Sequence, residues 1–250
     1  MTSDPHISVL IPAYNEEEWI ANAIGSVHRS FAALSDLSYE IIVCDNHSSD
    51  ATAEIARAGG AQVVFEPHNQ IARARNAAAR AAKGKWLIFM DADTLLNAGT
   101  LGETIKGLGS GAVGAGGAVV RMDSEDFPRF LRVLLVIWNG ISVVFKLAAG
   151  SYIYCHREAW SETGGFDERV YVSEEIWFSI KLKAWCRKKR LKFQIITKAP
   201  MVTSARKLKW YTPWQGIRQL LFLAWPRATM ERSNCAFWYV RPENSRVKRE

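Results

Sequence analysis

At 250 residues the chain is long enough for one large domain or two small ones. A folded chain of this size buries roughly 70–75% of the surface it exposes when unfolded, so no disulfide staple is needed. With 48% hydrophobic and 23% charged residues, its composition excludes disordered, collagen-like and acidic-tail classes. Cys44, Cys155, Cys186 and Cys235 are widely spaced, with no CxxC and no His at zinc-ligand spacing, and read as reduced, mostly buried thiols.

The net charge of +7 hides an asymmetry: residues 1–175 carry 14 basic and 22 acidic residues, whereas residues 176–230 carry 13 basic and none acidic. That division suits a protein that binds a cation in one place and an anion in another. The opening residues lack the basic n-region of a signal peptide, so a cytoplasmic location is expected. Phe130 to Ala149 is apolar at 15 of 20 positions but is interrupted by Arg132, Asn139 and Lys146. It reads as a buried or interfacial helix rather than a membrane span, which leaves a peripheral contact on the inner face of the membrane as the alternative location.

Strand and helix patterns alternate from the start. Ile7 to Ile11 reads as a buried strand, and Glu17 to Leu34 as a helix with Glu16 to Glu18 at its N-terminus. Strand Glu40 to Cys44, a polar turn from Asp45 to Asp50, helix Ala51 to Ala58 and strand Ala61 to Phe65 follow. Helix Asn69 to Ala82 and strand Lys85 to Met90 complete four strands with three crossing helices. These predict an α/β fold whose central sheet is mostly parallel and flanked by helices.

Further on, the pattern predicts helix Ala98 to Leu108, a Gly-rich strand from Gly111 to Val120, and a largely helical stretch from Asp126 to Leu147. Strand Gly150 to Cys155, helix Glu174 to Lys188, strand Phe193 to Ile196 and a helix near Pro213 to Ala224 complete the chain. One main domain over residues 1–206 is expected, with 207–250 as a basic, Trp-rich extension packed on it.

Ligands of parallel α/β sheets sit beyond the carboxyl ends of the strands. Polar clusters follow three strands directly: Pro12, Ala13, Tyr14, Asn15 and Glu16; the Asp45 loop; and Asp91-Ala92-Asp93. Two carboxylates as close as Asp91 and Asp93 repel unless neutralised, and such a pair suits a divalent cation that shares oxygens with a diphosphate. The plainer reading is a strand-end turn with a capping Asp. Asp45 can accept from a nucleobase N–H or a ribose hydroxyl. Arg75 lies among small residues that let its helix approach the sheet, with Arg73 and Arg80 as competing ligand-facing cations and a surface ion pair as the plain alternative. Glu174 and Glu175 head an amphipathic helix whose dipole favours their anions. Either can serve as a general base, or merely balance helix-end charge. GAVGAGGAVV at 111–120 fails the GxGxxG spacing, and no P-loop, nucleophile-elbow or zincin motif is present.

Taken in order, Ser8-Val9-Leu10-Ile11-Pro12-Ala13-Tyr14-Asn15-Glu16-Glu17, the Asp45 loop, Ala74-Arg75-Asn76, Phe89-Met90-Asp91-Ala92-Asp93-Thr94, and Gly164-Gly165-Phe166-Asp167-Glu168 followed by Glu174-Glu175 resemble family 2 glycosyltransferases of the GT-A fold. The resemblance covers residues 7–190 and is to bacterial-type, non-processive members. It implies metal-dependent transfer of a sugar from a nucleotide-diphosphate donor to an acceptor hydroxyl of a glycan, lipid or small molecule, usually with inversion. It further implies Mn²⁺ or Mg²⁺ as cofactor and no nucleic acid partner.

By position, Pro12 to Glu16 and Asp45 would surround base and ribose, and Arg75 would approach the nucleotide. Asp91 and Asp93 would hold ribose and metal, Asp93 most directly. Glu175 stands where the family commonly has an Asp as base, which leaves Glu174 as a competitor. Arg206, in Ser204-Ala205-Arg206-Lys207, would meet the leaving diphosphate. Gln70 and His47 stand where many members have Gly. A sugar-phosphate nucleotidyltransferase and a non-catalytic sugar- or lipid-binding relative are the rival readings. The first should carry a Gly-rich, Arg-containing loop after the first strand, where this chain has Pro12 to Glu16.

Overall fold

The computed structural model describes residues 6–34, 37–124, 129–148, 150–206, 230, 231 and 235. Its first half is a regular alternation: β1 (Ile7–Ala13), α1 (Ile20–Ala32), β2 (Tyr39–Asp45), α2 (Thr52–Ala58), β3 (Gln62–Phe65), α3 (Ile71–Ala81) and β4 (Trp86–Met90). There follow β5 (Thr94–Leu95), α4 (Ala98–Gly109), β6 (Val113–Met122), α5 (Arg129–Phe145), β7 (Tyr152–His156), α6 (Arg157–Thr163), α7 (Glu174–Lys188) and β8 (Lys192–Thr203).

All eight strands join one sheet in the order β3-β2-β1-β4-β7-β6-β8-β5. Neighbours β3, β2, β1 and β4 run parallel, as the intervening helices require. β7 is antiparallel to both β4 and β6, β8 runs parallel to β6, and β5 is antiparallel to β8. The sheet is therefore mixed, with its parallel part where the sequence pattern is most regular.

Alternation along β1 shows how the two faces are filled. Ile7, Val9, Ile11 and Ala13 join a cluster with Ile20, Ile24, Val27 and Phe31 of α1 and Leu101 of α4. Leu10 points the other way, into a cluster with Ala74 and Ala78 of α3, Ala159 of α6 and Phe178 and Leu182 of α7. The result is three layers, helix on sheet on helix.

The Gly-rich run is a close-packed strand. A Cβ at Gly116 would lie 2.0 Å from the Gln194 carbonyl oxygen, and one at Gly117 would lie 2.5 Å from the Ala148 Cβ. Glycine is what lets β8 and the segment after α5, at Ala148, approach β6.

Two expectations change, and two short elements were not foreseen. Glu16 to Glu18 precede α1 rather than occupying its first turn, because the Glu16 carbonyl accepts from Trp19 and Ile20 N–H at 2.9 Å each and closes a separate turn. β8 is a 12-residue strand, far longer than Phe193 to Ile196. β5 and α6 carry no periodic signal long enough to have been foreseen. The helix expected near Pro213 to Ala224 lies outside the described residues, as does the 207–250 extension apart from residues 230, 231 and 235. Cys235 packs with Val172, Ile71 and Tyr171, and all four cysteines are free and buried.

Candidate active site

The carboxyl ends of β1, β2 and β4 carry the polar residues singled out in the sequence. The loops after β1 and β2 are zipped together. Asn15 N–H donates to Ser48 Oγ at 3.0 Å, Asn15 Oδ1 accepts from Ser49 N–H at 2.8 Å, and Glu16 N–H donates to Thr52 Oγ1 at 2.7 Å. Ala13 is buried, and its carbonyl accepts from Asn46 N–H. Pro12 and Tyr14 are half-buried beside it.

Asp45 is buried and accepts from Ser48 N–H at 3.0 Å. Asn46 donates to the carbonyls of Glu66 and His68 and accepts from Gln70 N–H. Asp50 accepts from Thr52 N–H at the start of α2, from just outside the helix. His47 sits at φ 68 and Asn15 at φ 53, the left-handed region that glycine occupies without strain. That geometry accounts for a glycine preference at position 47.

Two charged clusters share the Asp91-Ala92-Asp93 turn. In the first, Arg75 of α3 is almost completely buried and has three acceptors. Its Nη1 donates to Glu174 Oε1 at 2.6 Å, and its Nη2 donates to Asp91 Oδ1 at 2.9 Å and to the Gly150 carbonyl at 3.0 Å. Its guanidinium also lies 5.2 Å from the Phe166 ring centroid.

The neighbouring Asn76 fixes that ring. Its Nδ2 donates to the Phe166 carbonyl at 2.9 Å and its Oδ1 accepts from Phe166 N–H at 3.0 Å. Gly165 sits at φ 64, where a Cβ would collide with Asn76 Oδ1 at 2.5 Å. Phe166 in turn packs against Phe89 and Phe178, with centroids 5.0 and 4.2 Å away. The Arg75-Asn76 pair and the Gly164-Gly165-Phe166 turn are thus one unit.

Burial works against the charge of Arg75, but Asp91, Glu174 and Glu175 outweigh it and raise its pKa. Glu174 is raised in turn, chiefly by burial and against the pull of Arg75. Glu175 is pushed up to about 8, first by lost hydration and then by the neighbouring Glu174 charge. Glu175 keeps partial exposure, whereas Glu174 is buried.

In the second cluster Arg206 Nη2 donates to Glu16 Oε1 at 2.6 Å and to Asp93 Oδ2 at 3.2 Å. Its guanidinium lies 5.0 Å from the Trp19 ring centroid. The strand pair β5–β8 delivers it. Thr94 lies opposite Thr203, and Ser204 N–H donates to the Asp93 carbonyl at 3.1 Å. Arg206 follows three residues after that pairing.

The structure therefore brings together Glu16, Arg75, Asp91, Asp93, Glu174, Glu175 and Arg206. Ala92 belongs to the core by its side chain, leaving only its backbone toward a ligand. Arg73 and Arg80 make longer contacts, 3.6 Å each, with Glu168 instead. Sequence reasoning missed Trp19, which falls inside the predicted helix Glu17 to Leu34, and the Gly150 carbonyl, which no side-chain pattern announces.

No group of three or more His, Cys, Asp or Glu suited to a metal occurs among the described residues. A cation that keeps several waters and shares diphosphate oxygens needs only one or two protein carboxylates. Asp91 and Asp93 supply that number, and the Asp93 carboxylate shares one cationic nitrogen of Arg206 with Glu16, so positive charge is already favoured there.

Comparison with known proteins matches residues 8–189 to the model described as Glycosyl transferase family 2. An uncharacterised glycosyltransferase of Mycobacterium tuberculosis is 34% identical over 106 residues, 42% of this chain and 45% of the relative. The chain thus spans less than half the length of such curated relatives. Among solved structures, a mannosyltransferase of Pyrobaculum calidifontis in complex with GDP-Man and Mn²⁺ superposes with a TM-score of 0.64 at 22% identity, covering 82% of this chain and 58% of that one. Glucosyl-3-phosphoglycerate synthase of Mycobacterium tuberculosis, in complex with Mn²⁺, UDP and phosphoglyceric acid, gives 0.61 at 19% identity, covering 89% and 78%. Matched over well more than half its length and folded as a GT-A glycosyltransferase, the chain belongs to glycosyl transferase family 2.

Proposed function

We propose that the chain transfers a sugar from a nucleoside-diphosphate donor to an acceptor hydroxyl by a single displacement that inverts the anomeric carbon. The observation that carries this reading is the meeting of Glu16 and Asp93 on the Arg206 cation, one turn from the buried Arg75–Glu174 pair and the high-pKa Glu175. The likeness to structures bound to GDP-Man or UDP and Mn²⁺ supports it. The β1 loop, which runs Ala13-Tyr14-Asn15-Glu16 without glycine or arginine, favours it over nucleotidyl transfer.

Pro12 to Glu16 and Asp45 form the nucleotide side of the site, with Asp93 and Asp91 as the metal ligands and Asp93 as the direct one. When bound, Mn²⁺ or Mg²⁺ offsets charge on the leaving diphosphate. Glu175 takes the acceptor proton as the acceptor oxygen bonds to the anomeric carbon, and the bond to the diphosphate breaks with its electron pair on the diphosphate. Arg206, released from Glu16 and Asp93, adds a cation to that leaving group. Glu174 is committed to Arg75 and holds it in place, which leaves the base role to Glu175.

The test is a thermal-shift panel of UDP, GDP, dTDP and CMP with and without Mn²⁺ or Mg²⁺. At a hundred times its Kd, a ligand confined to the folded state stabilises it by about 2.7 kcal/mol. Metal-dependent stabilisation by one diphosphate is the expected result. A flat panel from folded protein overturns the reading.

A further inference from the structure

Among the described residues, α5 leaves one side uncovered. Val133, Val136, Ile137, Ile141 and Val144 recur at three- and four-residue spacing and are all exposed, Val136 to 71% and Val144 to 73%. The opposite side is held to the sheet. Asn139 accepts from Val120 N–H at 3.0 Å and donates to the Val120 carbonyl at 2.9 Å, while Ser142 is buried and donates to the Leu147 carbonyl. The exposed stripe is therefore a fixed surface of the fold.

The helix C-terminus lies against α7. Lys183 Nζ donates to the Phe145 carbonyl at 2.9 Å, and Ala148 N–H donates to Ser179 Oγ at 3.1 Å. On α7, Trp177 and Ile180 are exposed as well.

Asp123, Glu125 and Asp126 precede α5, and Glu174 and Glu175 head α7, but along the rest of both helices the charges are all basic. Arg132 and Lys146 flank the stripe, and Lys183 and Arg187 stand on α7, with no acidic residue in either 129–146 or 176–190. Lost hydration, with the charges of Arg187 and Lys146, lowers the Lys183 pKa, as expected where cations crowd together.

A second copy of the chain would set this basic rim against itself in a two-fold contact. Residues 207–230 carry four basic residues and no acidic one, so that segment has the same sign as the rim. No helix among the described residues is long and apolar enough to cross a membrane, and the 17 residues of α5 span only about 25 Å. An apolar stripe bordered by lysine and arginine suits a helix lying in a headgroup layer.

We propose that the exposed face of α5, with Trp177 and Ile180 of α7, docks on an anionic lipid surface. Five residues beyond Phe145, the Gly150 carbonyl accepts from Arg75, and a Cβ at Gly150 would lie 3.7 Å from the Glu175 carboxyl carbon. Docking thus sets the Glu175 end of the site beside the lipid. The surface is independent of the donor reading, since it would dock whether or not a nucleotide binds.

The experiment is flotation of the full chain with vesicles of phosphatidylcholine alone or mixed with phosphatidylglycerol, for wild type and the double variant Val136→Glu/Val144→Glu. Both positions are largely exposed, so the variant should melt at the wild-type temperature and keep any nucleotide-induced thermal shift. The expected result is flotation with phosphatidylglycerol vesicles, weakened by salt, with a roughly tenfold or greater loss in the double variant. No flotation of the wild type overturns the proposal, as does equal flotation of the variant, which would put the contact elsewhere on the chain. A dimer that the variant converts to monomer, without wild-type flotation, would assign the face to a second copy instead. The nucleotide panel is read separately, so failure of lipid docking and failure of the donor reading remain distinct.

Discussion

Arg206 reaches back 190 residues to pair with Glu16, donating from Nη2 to Oε1 at 2.6 Å, and the same nitrogen contacts Asp93. The two carboxylates are nearly buried, and the guanidinium offsets their charge. Removing one partner of such a group leaves the other charges uncompensated. Arg206→Gln should destabilise the protein by about 3 kcal/mol in urea unfolding without added ligand. It should also tighten binding of Mn²⁺ alone while weakening a nucleoside diphosphate about tenfold, both by titration calorimetry. Unchanged affinities for both ligands would remove Arg206 from the donor site.

Glu174 and Glu175 are adjacent, yet the proposed mechanism gives them different work. Glu174→Ala leaves Arg75 buried without its 2.6 Å partner and should cost about 3–5 kcal/mol of stability. Glu175→Gln keeps size and shape, so donor binding should persist while transfer falls by about 10²–10⁴-fold. A Glu175→Gln enzyme with full turnover would return the base role to Glu174.

The raised pKa of Glu175 ties activity and stability to pH in opposite senses. The acceptor proton can go only to the carboxylate form, so turnover should climb as pH rises through about 8 and level off above it. The folded state binds this proton more tightly than the unfolded chain, whose carboxyl titrates near its ordinary 4.5. The associated stability is therefore complete below about 4.5 and is lost as pH rises toward about 8. Unfolding of Glu175→Gln followed from pH 4 to 9 should show a flatter profile than wild type, and identical profiles would count against the shift.

Much of this was legible because parallel strands announce themselves and place their loops at one edge. The β1, β2 and β4 patterns alone put Glu16, Asp45, Asp91 and Asp93 together. Arg206 could be assigned only through family likeness, because its position depends on β5, a strand of two residues with no period to read. Trp19 was hidden for another reason. Its spacing fits the apolar face of α1, but the helix begins one residue later and the ring turns toward Arg206. The Arg75–Glu174 pair joins residues 99 apart on two helices, a contact that only packing reveals.

Gly111 and Gly116 give the sharpest structural test, because an added Cβ meets a different obstacle at each. Gly111, just before the strand, has φ 69 and nothing within 4 Å of an added Cβ. Gly111→Ala should therefore carry only the backbone penalty of the left-handed region, about 1 kcal/mol. At Gly116 the obstacle is the Gln194 carbonyl oxygen, part of the backbone of the paired strand, with the Tyr154 hydroxyl 2.5 Å away on another side. Neither a rotamer change nor a small shift of one side chain relieves both contacts. Gly116→Ala should cost about 3 kcal/mol or more by forcing β8 from β6. Because β8 also carries Arg206 to Asp93, the surviving folded protein should bind nucleoside diphosphate more weakly than Gly111→Ala does. Equal stability of the two variants in urea would show that β6 and β8 do not pack as closely as this register requires.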